Sequence, residues 1–242
     1  IPILTYHSIM DGDEQSVSVK SFNEQMFLMK KMGYQTIKFN ELDNDNNKKK
    51  FIITFDDGYE NIFLNALPIL KQLNFTAICF FVINKIGHYN EWDVDKLNYK
   101  AMKLMNFEQI NVWLLNGFDV GSHTMDHINL KKLNYEEKIK QIIEPKKIFY
   151  DKFKIKINSF SYPFGSYDAE SKNIVKENYN FAVSTKRSRY FKNKFDNKLL
   201  PRVPINRNDG LLKFLLKIKT PYEDFKFEFR QACHNNLGLL LY

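Results

Sequence analysis

The chain has 242 residues, 44% of them hydrophobic, with 36 Lys and Arg against 28 Asp and Glu for a net charge of +8. That size and apolar share suit one large α/β domain or two small ones. No apolar run approaches the roughly 18 residues of a membrane helix, and two cysteines exclude a disulfide framework. The positive charge would draw anionic polymers such as acidic wall glycans or lipid headgroups. Lys, Asn, Ile and Phe are all abundant, as coding bias produces, and no basic-aromatic cluster argues for nucleic acid. The chain opens on a strand-like segment, with no initiator Met and no signal peptide. That pattern fits a chain whose export signal or anchor has been removed, and so an extracytoplasmic, cell-envelope location.

Taken in order, the elements alternate. Ile3–Thr5 reads as a strand. Ser21 and Glu24 form a capping-box pattern before Met26 and Met29, and Gly33 closes that helix. Tyr34–Phe39 is strand-like, residues 43–50 form a polar loop, and Phe51–Phe55 is a buried strand. A helix spans about Asn61 to Leu73, followed by strand 76–82, which buries Cys79. Residues 84–105 make a long connection containing Trp92, read as part of a groove rim. Asn106 and Gln109 cap a helix ending at Gly117. Phe118–Val120 is a short strand. A further helix starts near Asn134, and Pro145 is expected to end or kink it. Strand 158–162 follows, then a helix capped by Asp168, then strands Phe181–Ser184 and Leu200–Ile205. Leu211–Tyr242 is rich in Leu, Lys and Phe and is expected to form amphipathic helices packed on residues 1–210. The alternation argues for a parallel α/β architecture; pattern alone leaves open sheet and barrel undecided.

Chemistry concentrates at two strand ends. Thr54-Phe55-Asp56-Asp57-Gly58-Tyr59 places adjacent carboxylates after an apolar run. An isolated Asp-Asp pair is most often a solvated turn or a cap. At a strand's C-terminal end, however, two like charges call for a positive partner, commonly a metal ion. Gly121-Ser122-His123-Thr124-Met125-Asp126-His127 follows the next short strand, and its histidines, four apart, can share one side of a turn. Alone, such a pair is more often core or surface. A carboxylate with two histidines is nevertheless a common divalent-metal ligand set with positions left open.

These two segments resemble the first two signature motifs of the polysaccharide deacetylases, the NodB-homology or carbohydrate esterase family 4 group. Ser161-Tyr162-Pro163-Phe164-Gly165 matches the third motif in part. Further likeness lies in Ile1–Ile9, with its Tyr6-His7 pair, in Asn90-Glu91-Trp92-Asp93 and in Leu199-Leu200-Pro201-Arg202-Val203. The resemblance runs from residue 1 to about residue 207.

The resemblance implies a distorted, incomplete (β/α) barrel with a catalytic domain over 1–210. It implies that Asp57, His123 and His127 hold one divalent metal, with zinc first and cobalt, nickel or iron also fitting. Asp56 would be the general base, His7 the general acid, and the Tyr59 backbone N–H an oxyanion donor. Tyr162, Pro163, Phe164 and Gly165 would wall the groove, with aromatics such as Trp92 offered to sugar rings. The family's third motif often begins with an arginine that positions the catalytic aspartate. Ser161 stands there in this chain, and Arg202 is the candidate substitute. The implied activity is removal of N-acetyl groups from an exopolysaccharide, peptidoglycan or chitin-like glycan. The alternatives are a related hydrolase acting on another acyl or amide group, and a catalytically silent glycan-binding domain.

Overall fold

β1 (Ile3–Tyr6) lies between β8 (Leu200–Pro204) and β3 (Lys50–Phe55), and from β3 the sheet continues through β4 (Ile78–Phe81), β5 (Asp119–Ser122), β6 (Ser159–Ser161) and β7 (Phe181–Arg187) back to β8. These seven strands close a ring in which every pairing is parallel, and the two-residue β2 (Gln35–Thr36) adds to the start of β3. The structure, a computed structural model, describes residues 1–13, 16–44, 49–92 and 100–223. Asp93 and residues 224–242 lie outside them. The expected distorted (β/α) barrel is thus present with one ring strand fewer than eight. It is thinnest where β5 meets β6 at the single registered pair Ser122 and Phe160.

Helices α1 (Val19–Lys31), α2 (Leu67–Gln72), α3 (Phe107–Leu115), α4 (Tyr135–Phe153), α5 (Ala169–Asn178) and α6 (Leu211–Lys219) accompany the strands. Three begin on reciprocal side-chain caps readable from sequence: Asn106 with Gln109, Asn134 with Glu137, and Asp168 with Ser171. Such caps satisfy amides that the first turn leaves without helical partners.

Some expectations need correction. α1 starts earlier than the Ser21 pattern implied, because Ser18 Oγ accepts from the Ser21 amide and acts as the cap. The strand expected over Tyr34–Phe39 shrinks to two residues, since the Lys38 amide donates to Glu41 Oε2 and draws the chain into a tight turn at Phe39–Glu41. Pro145 does not end its helix. α4 runs on to Phe153, with Pro145 buried alongside Ile142 and Phe149, so packing on the barrel outweighs the lost backbone hydrogen bond.

Period-two alternation sorts the barrel interior into layers. At the strands' starts, Ile3, Ile52, Ile78, Phe80, Val183 and Leu200 pack together, closed off by Phe39, Leu42 and Tyr190. Two residues further on, the layer turns polar: Thr5, Thr54 and Arg202 are joined by hydrogen bonds. The outer faces pack against helices through Phe22, Phe51, Phe55, Phe81 and Phe149, each essentially fully buried. Each such ring contributes about 1.5–3 kcal/mol by leaving water. Among the described residues no helix is long and apolar enough to cross a membrane.

Candidate active site

The polar layer opens at the strands' C-terminal ends into a pocket of about 310 Å³ that both aspartates line. Neighbouring residues on a strand point to opposite faces, so a special turn is needed to bring both carboxylates there. β3 stops at Phe55, and Asp57 and Gly58 take left-handed backbone angles, φ 73° and 82°. A Cβ at position 58 would overlap the Phe81 ring, so glycine is needed on both counts.

Asp56 continues the inward face of Ile52 and Thr54. Its carboxylate is 4% exposed and accepts two charge-assisted bonds from Arg202, Nη1 to Oδ1 and Nη2 to Oδ2, both 2.7 Å. The same guanidinium donates from Nε to the Ser184 carbonyl and from Nη1 to Thr54 Oγ1, and Ser161 Oγ lies 3.3 Å from Asp56 Oδ2. Burial alone would raise the Asp56 pKa. The charge and hydrogen bonds of Arg202, with His123 and His7 nearby, outweigh that and hold it well below the usual carboxylate range.

The histidines sit in a tight turn after β5, where Thr124 and His127 are also left-handed, at φ 68° and 55°. Gln141 on α4 locks this turn: its Oε1 accepts from the Met125 and Asp126 amides, and its Nε2 donates to Asp126 Oδ2. The Thr124 hydroxyl accepts from the His127 amide. His123 Nδ1 lies 2.7 Å from the Ser161 carbonyl. A carbonyl only accepts, so Nδ1 carries the proton and Nε2 turns a lone pair toward Asp57. Burial lowers the His123 pKa to about 4, against the pull of Asp56, so the ring is neutral at physiological pH.

Asp57 Oδ1 stands 3.5 Å from His123 Nε2 and 3.4 Å from His127 Nε2. All three residues are buried, and one ligand atom of each lies within 4.8 Å of the others. Two donors bound tetrahedrally at about 2.0–2.1 Å from one ion would be roughly 3.4 Å apart. Spacing, donor types and the neutral state of His123 therefore fit a divalent cation such as zinc.

The remaining expected residues distribute around this centre. His7 lines the pocket from its exposed rim, close enough to press the pKa values of Asp56 and His123 downward. Tyr162 and Phe164 also line it. The half-exposed Phe164 ring meets His127 edge-on at 4.6 Å. Pro163 is buried within the turn, and Gly165 is placed where a Cβ would overlap the Thr185 side chain. Trp92 is not among the residues that line the pocket; its ring lies 4.4 Å from that of His127. Tyr59 is turned into the core, where its hydroxyl accepts from Asn90 Nδ2. The pocket also takes in Ser184, Thr185, Arg187 and Asn206, which sequence reasoning passed over. Ser184 ends an expected strand and carried a positional signal. The register shift in β7 that brings Thr185 and Arg187 to the same wall carried none.

Comparison with known proteins agrees with this geometry. The sequence model of the polysaccharide deacetylases matches residues 43–181. The Bacillus subtilis protein YxkH, provisionally named a polysaccharide deacetylase, is 31% identical over 192 residues, covering 76% of this chain and 64% of that protein. A poly-β-1,6-N-acetyl-D-glucosamine N-deacetylase of Staphylococcus aureus is 26% identical over 200 residues, covering 76% of this chain and 67% of its own length. A crystal structure from Bacillus anthracis, likewise provisionally named a polysaccharide deacetylase, superposes with a TM-score of 0.77 at 26% identity, over 90% of this chain and 68% of that one. The chain thus spans about two thirds of the length of these relatives.

Proposed function

Since this chain belongs to the polysaccharide deacetylase family, we propose that it is a metal-dependent hydrolase that removes N-acetyl groups from a hexosamine-containing polysaccharide outside the cytoplasm. The observation that carries the reading is the pairing of Asp56 with Arg202 beside the Asp57, His123 and His127 donor set in one pocket. Residues 1–210 would form the catalytic domain, with α6 of the extension packed against it through Phe214 and Ile218.

In this reading Asp57, His123 and His127 hold one divalent ion, zinc by preference. When bound, such an ion polarises the acyl carbonyl and lowers the pKa of water from about 15.7 toward 7. Asp56 offers the attacking water an oxygen that stays anionic across the physiological range. Because Arg202 makes protonation of that carboxylate costly, Asp56 orients the water and holds its proton only briefly. The water oxygen bonds to the acyl carbon as its proton passes to Asp56 and the C=O electron pair moves onto the carbonyl oxygen. That pair then returns, the C–N bond breaks, His7 at the rim gives a proton to the amide nitrogen, and Asp56 passes its proton on to solvent. Acetate and a free amine result. The Tyr59 backbone N–H is the expected donor to the oxyanion, an interaction of a kind typically worth about 2.7–4 kcal/mol. Tyr162 and Phe164 wall the sugar in, and Trp92 acts indirectly by backing His127.

The test is acetate release from N-acetylglucosamine oligomers by the metal-loaded protein, the chelated protein and Asp56→Asn. Release that needs both the metal and Asp56 is expected. Release that survives Asp56→Asn at the wild-type rate would overturn the role of Asp56, and no release from any N-acetylated oligomer by a metal-loaded protein would overturn the N-deacetylase reading.

A further inference from the structure

Two arginines line the catalytic pocket, and they are in very different states. Arg202 is buried, and its donors are taken up by Asp56, Thr54 and Ser184. Arg187 has a side chain 30% exposed. Among the described residues its ion-pair partner is Glu223, with Nη1 to Oε2 at 3.8 Å, beyond hydrogen-bond reach. Glu223 is itself shared, because Lys217 Nζ sits 2.9 Å from its other oxygen. Lys217 in turn bonds Asp209 and the Pro204 carbonyl. Glu223 is 2% exposed, while Arg187 keeps part of its side chain open and lines the pocket.

The strand geometry makes this placement specific. The register shift in β7 falls between Val183 and Arg187, and Arg187 comes level with Arg202 on β8. A bulge of this kind re-aims side chains beside active sites. Here it brings Ser184, Thr185 and Arg187 onto one wall of the pocket that also holds Asp57, His123 and His127. The pocket, about 310 Å³, falls at the lower end of the range of small-molecule sites. Arg187 therefore shares one pocket with the donor set that would receive the acetamide.

We propose that Arg187 is a specificity-determining residue that reads an anionic substituent on the glycan, a carboxylate or a phosphate, on the sugar being deacetylated or its immediate neighbour. The inference rests on the N-deacetylase reading. A planar guanidinium that makes no side-chain hydrogen bond among the described residues, its 3.8 Å pair with Glu223 aside, matches both oxyanions in a bidentate manner. The products point the same way. Each released amine is cationic at neutral pH, and both Arg187 and a chain of net charge +8 disfavour a polymer that becomes steadily more positive. A glycan carrying its own acids stays attractive as deacetylation proceeds.

The experiment compares kcat/KM for acetate release from three oligomers of equal length: a neutral N-acetylglucosamine oligomer, one alternating with N-acetylmuramic acid, and one bearing phosphate monoesters. Each is run on the metal-loaded full chain, on Arg187→Gln and on Arg187→Lys. In the wild type the ratio of anionic to neutral kcat/KM exceeds one for at least one of the two anions, and which one identifies the source. In Arg187→Gln that ratio falls about 10-fold or more, and Arg187→Lys recovers part of it. An equal ratio in wild type and Arg187→Gln overturns the proposal and leaves the N-deacetylase reading standing. Should the wild type release acetate from none of the three, that reading fails on its own terms. Calorimetric binding of the same oligomers then decides the role of Arg187: selective loss of the anionic oligomer in Arg187→Gln sustains it, and equal loss of all three refutes it.

Discussion

Replacing Arg202 with Met tests whether Asp56 owes its ionisation to that one guanidinium. The substitution keeps much of the volume and removes both 2.7 Å bonds to Asp56. It leaves a carboxylate 4% exposed without its cation. Breaking a buried pair in this way costs about 3–5 kcal/mol when the remaining charge stays ionised. The carboxylate has an alternative, which is to take up a proton. In the wild type its folded pKa is depressed. Asp56 therefore adds stability that is present above the unfolded value of about 3.9 and lost as pH falls through the folded value. In the variant burial, the largest influence, is opposed only by the weaker pull of His123 and His7; the folded pKa rises above the unfolded one, and the sign reverses: stability is kept at low pH and lost as pH rises through the new value. The stability difference between wild type and Arg202→Met, measured by urea unfolding of chelated protein from pH 4 to 8, should be largest near neutrality and shrink toward pH 4. The rate of acetate release should fall, and its acid limb should move toward neutral pH. A pH-independent difference with an unchanged acid limb would refute the reasoning.

Three further perturbations follow from the same contacts. Gln141→Leu removes the acceptor of two amides in the histidine turn; metal affinity by competition with a chromogenic chelator should weaken about 10–100-fold, and an unchanged affinity would dismiss the turn lock. His123 has its pKa lowered to about 4, so metal-free protein should be fully stable above about 6.5 and lose up to about 3 kcal/mol as pH falls from there to about 4. His123→Asn should lack that slope. Lys217→Met removes the cation shared by Asp209 and Glu223, both nearly fully buried, leaving Asp209 to Lys213 and Glu223 to its longer pair with Arg187; thermal unfolding should report a loss of about 3 kcal/mol, and a neutral result would show that α6 is not fastened through this cluster.

Much of the architecture can be read along the chain because its signals are local. The caps at Asn106, Asn134 and Asp168 each lie within three residues of their partners. The apolar run before Asp56 and the glycine after Asp57 announce a strand and a sharp turn without reference to anything distant. The Arg202–Asp56 contact is of another kind, spanning 146 positions. The sequence offers Arg202 as a candidate by resemblance, while the distance itself follows from ring closure, which sets β8 beside β1 and β1 beside β3. Arg187 stayed hidden because a register shift inside β7 leaves no compositional trace. Pro145 does not end α4, because a propensity penalty of about 3 kcal/mol is set against the burial of Ile142, Pro145 and Phe149 along the helix.

The closure of the ring by β1 bears on the order in which the protein can be made. Leu4 and Val203 are registered partners far apart along the chain, so β1 leaves the ribosome well before β8 and waits for it before its second edge is covered. Until then β1 exposes unpaired backbone along that edge, and the pocket lacks Arg202 while already holding Asp56. A partly synthesised chain therefore has Asp56 without its counter-ion and a strand edge open to wrong partners. Neither the ring nor the Arg202–Asp56 pair can be completed before β8 is made.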